Sequence, residues 1–190
     1  MPQKNYLLPL HDLPGEGRTI AFEETALWEA PINEFAMNCR LQKPLHATLS
    51  VVPSTGGVFV QGTIRGTVIL PCNRCAEETE HTLDWSFSDF EGFPGADREE
   101  SEQSSENLFD PDGESRTFLE HGLPILDMQA ILWEEFVLAL PPNPLCQETC
   151  KGLCPVCGCN RNTEICSCTQ DTGDPRLAIF RSMKVTSKKM

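Results

Sequence analysis

The sequence predicts an α+β fold, in which one long helix packs on a small curved antiparallel sheet and a C-terminal appendage is zinc-ribbon-like. Residues 45–70 alternate between apolar and polar positions around a Gly-rich turn, which is typical of a β-hairpin. Residues 127–140 form one apolar segment that begins at a capping Asp127, as a helix does. Seven of the ten cysteines lie between Cys146 and Cys168, at spacings that suit the thiolate ligands of a metal.

The N-terminal segment, residues 1–44, gives the weakest structural signal. A first strand is predicted near residues 19–23. Residues 26–35 are ambiguous, and Pro31 divides them. We therefore place the α+β core at residues 45–150.

The core begins with a predicted antiparallel hairpin of residues 45–52 and 58–70, joined by Pro, Ser, Thr and Gly residues that favour a turn. Gly62 and Gly66 lie within the second strand. Glycine inside a strand often marks a bulge, so we interpret both positions as bulges or points of strong curvature.

A pair of cysteines, Cys72-x2-Cys75, directly follows this hairpin. Residues 78–87 then alternate again and predict another strand. The pair therefore sits in a turn between two strands, which is a usual location for half of a zinc site.

Residues 91–116 combine Gly, Pro and Ser with many acids, and we predict a disordered loop because so few apolar groups cannot offset the entropy of ordering. The net charge of −13 is unevenly distributed. Residues 91–120 carry 2 basic and 10 acidic side chains, whereas residues 150–190 carry 7 basic and 3 acidic ones. The C-terminal end therefore suits RNA phosphates, and the acidic remainder suits a basic partner.

The C-terminal end divides into two predicted parts. Residues 151–170 form the zinc-ribbon-like module. Residues 171–190 form a short helix, capped by Asp174, and a basic tail that begins at Lys184.

Cellular location follows from two sequence features. No apolar run is long enough to span a bilayer, and the first 17 residues lack the apolar core of a signal peptide. We therefore expect a cytoplasmic protein. In a reducing compartment, clustered cysteines favour metal ligands over disulfides.

The cysteines divide most simply into two sites for two Zn²⁺ ions, since close thiolate pairs on tight turns match tetrahedral coordination. The first predicted site comprises Cys72, Cys75, Cys146 and Cys150, and the second comprises Cys154, Cys157, Cys166 and Cys168. Spacing alone supports the second site. The first site joins segments about 70 residues apart, and is favoured because the pair at Cys72 needs two further ligands.

Three other divisions stay open. Cys150-x3-Cys154-x2-Cys157 matches the spacing by which radical enzymes hold a [4Fe-4S] cluster, and Cys146 can complete a cluster with these three. A redox dithiol would require a thioredoxin-like context, which the antiparallel strands around Cys72 do not provide.

Several remaining residues carry no clear chemistry. We interpret Cys159 as a spare thiol that can exchange with Cys157, Cys39 as a small buried apolar residue, and His81 as a structural or surface histidine. The chain has no recognisable Ser/His/Asp set or phosphate loop, and four-thiolate zinc sites are coordinatively closed. We therefore expect a protein that is not an enzyme.

Several motifs follow one another in a recognisable order. They are residues 68–75 (VILPCNRC), residues 134–141 (EEFVLALP), Cys146 and Cys150, residues 151–158 (KGLCPVCG), residues 166–168 (CSC) and residues 174–178 (DPRLA). Together they resemble the YceD-like family, the large ribosomal RNA subunit accumulation proteins, over residues 45–182. Some family members carry His at the position of Cys146 and lack the second cluster, which implies that the first site is the shared one.

This resemblance implies a non-enzymatic factor that supports accumulation of large-subunit ribosomal RNA. Its partner would be a precursor of the large subunit, ribosomal RNA or a basic ribosomal protein. We predict that seven cations face RNA: Lys151, Arg161, Arg176, Arg181, Lys184, Lys188 and Lys189. The alternative is an acidic protein-binding module that escorts a basic ribosomal protein.

Overall fold

The computed structural model describes residues 6–94 and 116–168. Most of the predicted acidic loop 91–116, the predicted helix after Asp174 and the basic tail from Lys184 lie outside these residues. In chain order, the described elements are β1 (Leu7–Pro9), a 3₁₀ helix (Leu10–Asp12), β2 (Arg18–Phe22), α1 (Ala26–Glu34), β3 (Arg40–Leu41), β4 (His46–Ser54), β5 (Gly57–Pro71), β6 (Glu78–Gly92), β7 (Thr117–Glu120), β8 (Leu123–Asp127) and α2 (Met128–Ala139).

The larger sheet has five antiparallel strands, and β5 lies at its centre. β4 and β5 form the predicted hairpin, with a register that is unbroken from His46 opposite Arg65 to Ser54 opposite Gly57. β6 pairs with the other side of β5 along its whole length. The strand predicted after the cysteine pair is therefore confirmed, and it is longer than the sequence suggested.

Gly62 and Gly66 do not mark bulges, because the register of β5 with β6 runs unbroken through both positions. The bulge interpretation is therefore wrong, and the alternative of strong curvature stays a prediction. A Cβ atom on Gly62 would lie 2.3 Å from the ring of Phe87, and one on Gly66 would lie 2.3 Å from the side chain of Leu45. Glycine is needed here because large side chains from neighbouring chain segments occupy the space above the strand.

Residues 18–34, within the predicted N-terminal segment, contribute directly to the core. β2 pairs with β4, from Arg18 opposite Val51 to Phe22 opposite Ala47. The predicted first strand is thus present. The domain boundary at residue 45 stays a prediction.

α1 continues through Pro31, which made this segment ambiguous in the sequence. Proline cannot donate a backbone hydrogen bond, so it weakens the helix. Leu27 and Trp28 are each only 1% exposed, and burying two such large side chains outweighs that cost.

A second sheet, with the strand order β1–β8–β7, leads directly into α2. The side chain of Asp127 accepts a hydrogen bond from the N–H of Ala130 at 3.0 Å, which confirms the predicted cap. The described residues therefore contain two antiparallel sheets and two α-helices, consistent with the α+β class. The prediction of one sheet and one long helix needs correction, because α2 has 12 residues and the ambiguous segment around Pro31 also forms a helix. Neither of these helices is long and apolar enough to cross a membrane.

α2 packs against α1 and β6 through large side chains. The ring of Phe136 lies 5.4 Å from that of Trp28, measured between centroids. Trp85 on β6 donates its indole N–H to the buried carboxylate of Glu135 at 2.7 Å. This bond satisfies a charged group that would otherwise be costly to bury.

Arg116 ties β7 to β6 and α2. Its guanidinium forms ion pairs with Asp89 at 2.6 Å, Glu91 at 2.7 Å and Glu134 at 2.9 Å. Burial raises the pKa of Glu91, and the adjacent Arg116 opposes that shift. The ion pair between Glu91 and Arg116 therefore holds together the chain on the two sides of residues 95–115.

Candidate metal centres

The first cysteine cluster lies where the β5–β6 turn meets the chain that follows α2. Cys72 and Cys75 occupy that turn. The backbone N–H of Asn73 donates to the carbonyl of Pro144 at 2.8 Å, and its side chain donates to Asn143 Oδ1 at 2.9 Å. These bonds hold the chain after α2 against the turn and bring the next two cysteines to it.

The sulfur atoms of the first predicted site converge. Those of Cys72, Cys75, Cys146 and Cys150 all lie within 4.8 Å of one another. Cys72 Sγ is 3.8 Å from Cys150 Sγ, and Cys75 Sγ is 3.6 Å from Cys146 Sγ. A tetrahedral Zn²⁺ with Zn–S bonds of about 2.3 Å separates its thiolates by about 3.8 Å, so the spacing fits zinc.

Hydrogen-bond donors and burial together control the charge of this cluster. Burial alone would raise the pKa of Cys72, but backbone donors, including the N–H of Arg74 at 3.5 Å, lower it to about 6. Burial and the neighbouring sulfurs raise the pKa of Cys146 to about 12. Because burial and the neighbouring sulfurs raise the pKa of Cys146, a metal ion would have to displace a proton there as it binds.

The second cluster is formed within one short stretch of chain. The sulfurs of Cys154, Cys157, Cys159 and Cys166 all lie within 4.8 Å of one another. Cys166 Sγ is 3.3 Å from Cys154 Sγ and 3.7 Å from Cys157 Sγ. Cys154 is buried, whereas the other three are half-buried or exposed. This cluster also fits a tetrahedral ion.

Cys154 is the anchor of the second cluster. The backbone N–H groups of Cys157 and Val156 point at its sulfur and lower its pKa to about 6. The N–H of Gly158 donates to the carbonyl of Cys154 at 2.8 Å and closes the turn. Such turns are the usual way in which a C-x2-C pair supplies two thiolates to zinc.

Five thiols compete for the four positions of the second site. The sequence predicts Cys168 as a ligand and Cys159 as a spare thiol, but Cys159 is the one that joins the four-sulfur group. Its carbonyl accepts from the N–H of Cys154 at 2.8 Å, which folds the chain back over the cluster. Cys168 stays adjacent: the sulfurs of Cys166 and Cys157 raise its pKa to about 12.

The structure does not bring together the cysteines that the two iron–sulfur alternatives require. It places Cys150 in the first cluster, and Cys154 and Cys157 in the second. The C-x3-C-x2-C spacing therefore spans two clusters. None of the ten cysteines, all of which lie in the described residues, forms a disulfide, so all of the clustered sulfurs are available to a metal.

Residues 151–168, which contain the second cluster and are called the second module below, pack directly on the β5–β6 turn that carries Cys72 and Cys75. The N–H of Leu153 donates to the carbonyl of Arg74 at 2.9 Å, and the guanidinium of Arg74 donates to the carbonyl of Cys150 at 3.0 Å. Leu153 also forms an isolated β-bridge with Asn160. Sequence patterns do not single out Arg74 or Asn160, because no spacing rule shows which loop residue reaches across a junction.

Two of the seven predicted RNA-facing cations lie in the described part of the chain. Lys151 is exposed, and its backbone N–H donates to Asn162 Oδ1 at 2.8 Å. Arg161 is half-buried, and its backbone N–H donates to the carbonyl of Gly152 at 3.0 Å. The other five cations lie beyond residue 168, so their role stays a prediction.

Cys39 and His81 belong to neither cluster. Burial raises the pKa of Cys39 to about 11, which fits its interpretation as a small apolar residue. His81 Nε2 is buried and has no hydrogen-bond partner among the described residues. A cavity of about 480 Å³ lies beside Cys39, Arg40 and Glu78, and none of the clustered cysteines lines it.

Comparison with known proteins identifies a family. The family model described as "Large ribosomal RNA subunit accumulation protein YceD" matches residues 60–184, which include both cysteine clusters. No solved structure matches the chain.

The chain is also similar, at low identity, to curated relatives, one of which carries the name of this family. A protein of Arabidopsis thaliana, named large ribosomal RNA subunit accumulation protein YCED homolog 1, chloroplastic, is 26% identical over 149 residues, which cover 69% of this chain and 46% of the relative. An uncharacterized protein of Mycobacterium tuberculosis is 25% identical over 114 residues, which cover 60% of this chain and 50% of that protein. The chain thus spans about half the length of the curated relatives it matches.

Proposed function

The chain belongs to the YceD family of large ribosomal RNA subunit accumulation proteins, and from that premise we propose that it is a zinc-stabilised, non-enzymatic factor in large-subunit assembly. One observation carries the proposal. Within the matched region, the β5–β6 turn and the chain after α2 supply four sulfurs at tetrahedral spacing. Four thiolates leave no open coordination position for a substrate, so the ion would hold the fold rather than perform chemistry.

Metal analysis of the purified chain tests this part of the proposal. We expect about two zinc ions per chain in a colourless protein, because tetrahedral four-thiolate sites favour zinc. The Cys72→Ser/Cys75→Ser variant should retain about one ion. Iron and sulfide in the protein, or no bound metal, would contradict the proposed role of zinc.

The distribution of charge along the chain favours RNA contact mainly through residues beyond 168. Each site with four thiolates and one Zn²⁺ carries a net charge of −2. In the second module, Lys151 and Arg161 are offset by Glu164 and by this charge. The predicted cations at 176–189 are therefore the part of the chain suited to phosphate.

Co-sedimentation with precursor particles of the large subunit tests the RNA contact. Reversing the charges of Arg176, Arg181 and Lys184 should release the protein from the particles, and the difference from the wild-type chain should shrink as the salt concentration rises, because salt weakens phosphate contacts. A control variant with Arg18→Glu and Lys43→Glu changes exposed cations of the N-terminal half. Equal association of both variants would contradict direct contact through the C-terminal end.

A second candidate function is the escort of a basic ribosomal protein in the cytoplasm. Residues 121–149 contain four acids and no Lys or Arg, and α2 exposes Val137 and Leu138 there. An acidic surface with exposed apolar groups suits a basic, partly apolar partner. Pull-down of ribosomal proteins with the full chain and with a chain that lacks residues 95–115 tests whether the acidic loop takes part.

A cellular experiment tests the function as a whole. Depletion of the protein should lower the level of large-subunit ribosomal RNA and leave small-subunit RNA closer to normal. The wild-type chain should restore that level, whereas Cys72→Ser/Cys75→Ser should not. Restoration by the cysteine variant would separate the function from the first metal site.

A further inference from the structure

We propose that Asn162 couples the two metal sites, so that an ion in the second site strengthens binding in the first. This inference rests on the proposed metal binding and goes beyond it. Asn162 lies between Cys157 and Cys166, which belong to the second cluster. Its side-chain Nδ2 nevertheless donates to Cys150 Sγ, a sulfur of the first cluster, at 3.2 Å.

The orientation of the Asn162 amide is fixed by a second bond. Its Oδ1 accepts from the backbone N–H of Lys151 at 2.8 Å, and a backbone N–H can only donate. The other end of the amide, the NH₂ group, must therefore face Cys150 Sγ. A donor held in this way stabilises the negative charge of a thiolate ligand.

The position of Asn162 depends on the loop that the second site closes. Asn160 Oδ1 accepts from the backbone N–H of Asn162 at 3.0 Å, and the carbonyl of Asn160 accepts from the N–H of Glu164 at 2.8 Å. This small turn lies between ligands of the second cluster on both sides, Cys159 and Cys166. An ion bound to both cysteines would restrict the loop and so keep Asn162 at Cys150.

The expected size of the coupling follows from the chemistry of outer-shell groups. Loss of a hydrogen bond to a metal ligand commonly lowers metal affinity by roughly 10- to 100-fold. Coupling between two binding sites is reciprocal, so filling the first site should strengthen the second by the same factor.

The discriminating substitution is Asn162→Asp in the full chain. An aspartate keeps the acceptor for the N–H of Lys151 and removes the donor to Cys150 Sγ. Asn143→Asp is the matched control, because it adds the same charge beside the first cluster at a residue whose Oδ1 accepts from Asn73. Asn162→Ala removes the donor without adding charge, and the circular dichroism of the sheet shows that each variant folds.

The readout is cadmium NMR of the protein loaded with Cd²⁺, combined with chelator competition. Each four-thiolate site gives its own resonance, and Cys72→Ser/Cys75→Ser assigns the first one. We expect Asn162→Asp and Asn162→Ala to shift the first-site resonance and to weaken that site roughly tenfold or more, with Asn143→Asp close to wild type.

A double-mutant cycle completes the test. Removal of the second site by Cys154→Ser/Cys157→Ser should weaken the first site as much as Asn162→Ala does, and the combined variant should lose no more than either alone. Unchanged first-site affinity in the chain without the second site would overturn the coupling while leaving zinc binding intact. Absence of bound metal in the wild-type chain would overturn both proposals.

Discussion

The two cysteine clusters have similar sulfur spacing but different relations to the fold. The first joins residues separated by 71 positions, such as Cys75 and Cys146, and three of its four sulfurs are buried. The second collects its ligands from one short stretch, and three of its four members are half-buried or exposed. An ion in the first cluster would close a long loop of the core, whereas one in the second would organise a local appendage. Similar coordination chemistry thus predicts different energetic roles.

The largest expected difference between the clusters is in stability. Cys72→Ser/Cys75→Ser should lower the free energy of unfolding by on the order of 5 kcal/mol or more, because structural zinc contributes about 10–16 kcal/mol in small domains. Cys154→Ser/Cys157→Ser should cost on the order of 1 kcal/mol, since none of the strands of the two sheets and neither helix lies within that module. Urea unfolding followed by Trp fluorescence measures both. Equal losses would show that the second module is part of the core.

The second cluster, together with the adjacent Cys168, gives the next largest effect. Cys159→Ser and Cys168→Ser should each retain about two zinc ions per chain, because the other thiol can complete the tetrahedron. The double variant should retain about one. The first cluster offers no such replacement, so Cys146→Ser alone should weaken its site. Loss of an ion in only one of the single variants would identify the fourth ligand.

The two clusters should lose their zinc ions at different rates when a chelator is added. In the second cluster only Cys154 is buried, so a chelator can reach three ligands, whereas in the first cluster only Cys146 is exposed and the other three cysteines are buried against Leu145. We expect zinc to leave in two phases under excess chelator, with the fast phase absent from Cys154→Ser/Cys157→Ser. Monophasic release from wild-type protein would contradict the contrast in exposure.

Sequence reasoning was most successful where one local rule acts. The β4–β5 hairpin follows from alternation around a turn, and the start of α2 follows from the cap at Asp127. The helix through Pro31 was ambiguous, because burial of Leu27 and Trp28 depends on partners elsewhere in the chain. The predicted bulges at the glycines of β5 are wrong for the same reason: the groups that occupy the space beside these glycines come from other segments.

The candidate site shows the same limit. Convergence of the Cys72 turn with Cys150 was predicted from the number of ligands that zinc requires, which is a chemical rule. The position of Cys159 depends on a backbone bond to Cys154, and the reach of Asn162 depends on how two modules pack. Neither leaves a pattern in the spacing of residues.

The smallest prediction concerns the junction between the clusters. Gly152 and Gly158 have φ angles of +72° and +74°, so alanine at either position costs roughly 1–2 kcal/mol of backbone strain. A Cβ at 152 would also lie 2.9 Å from the carbonyl of Arg74, whereas one at 158 meets nothing within 4 Å. Gly152→Ala should therefore cost roughly 1–2 kcal/mol more than Gly158→Ala in urea unfolding, because a packed junction must shift to admit the methyl group. Gly152→Ala should also weaken the first metal site. The added methyl group would displace Arg74, and the backbone N–H of Arg74 donates to Cys72 Sγ. Equal effects of the two substitutions would mean that the second module is not packed against the β5–β6 turn in solution. The two clusters would then bind metal independently.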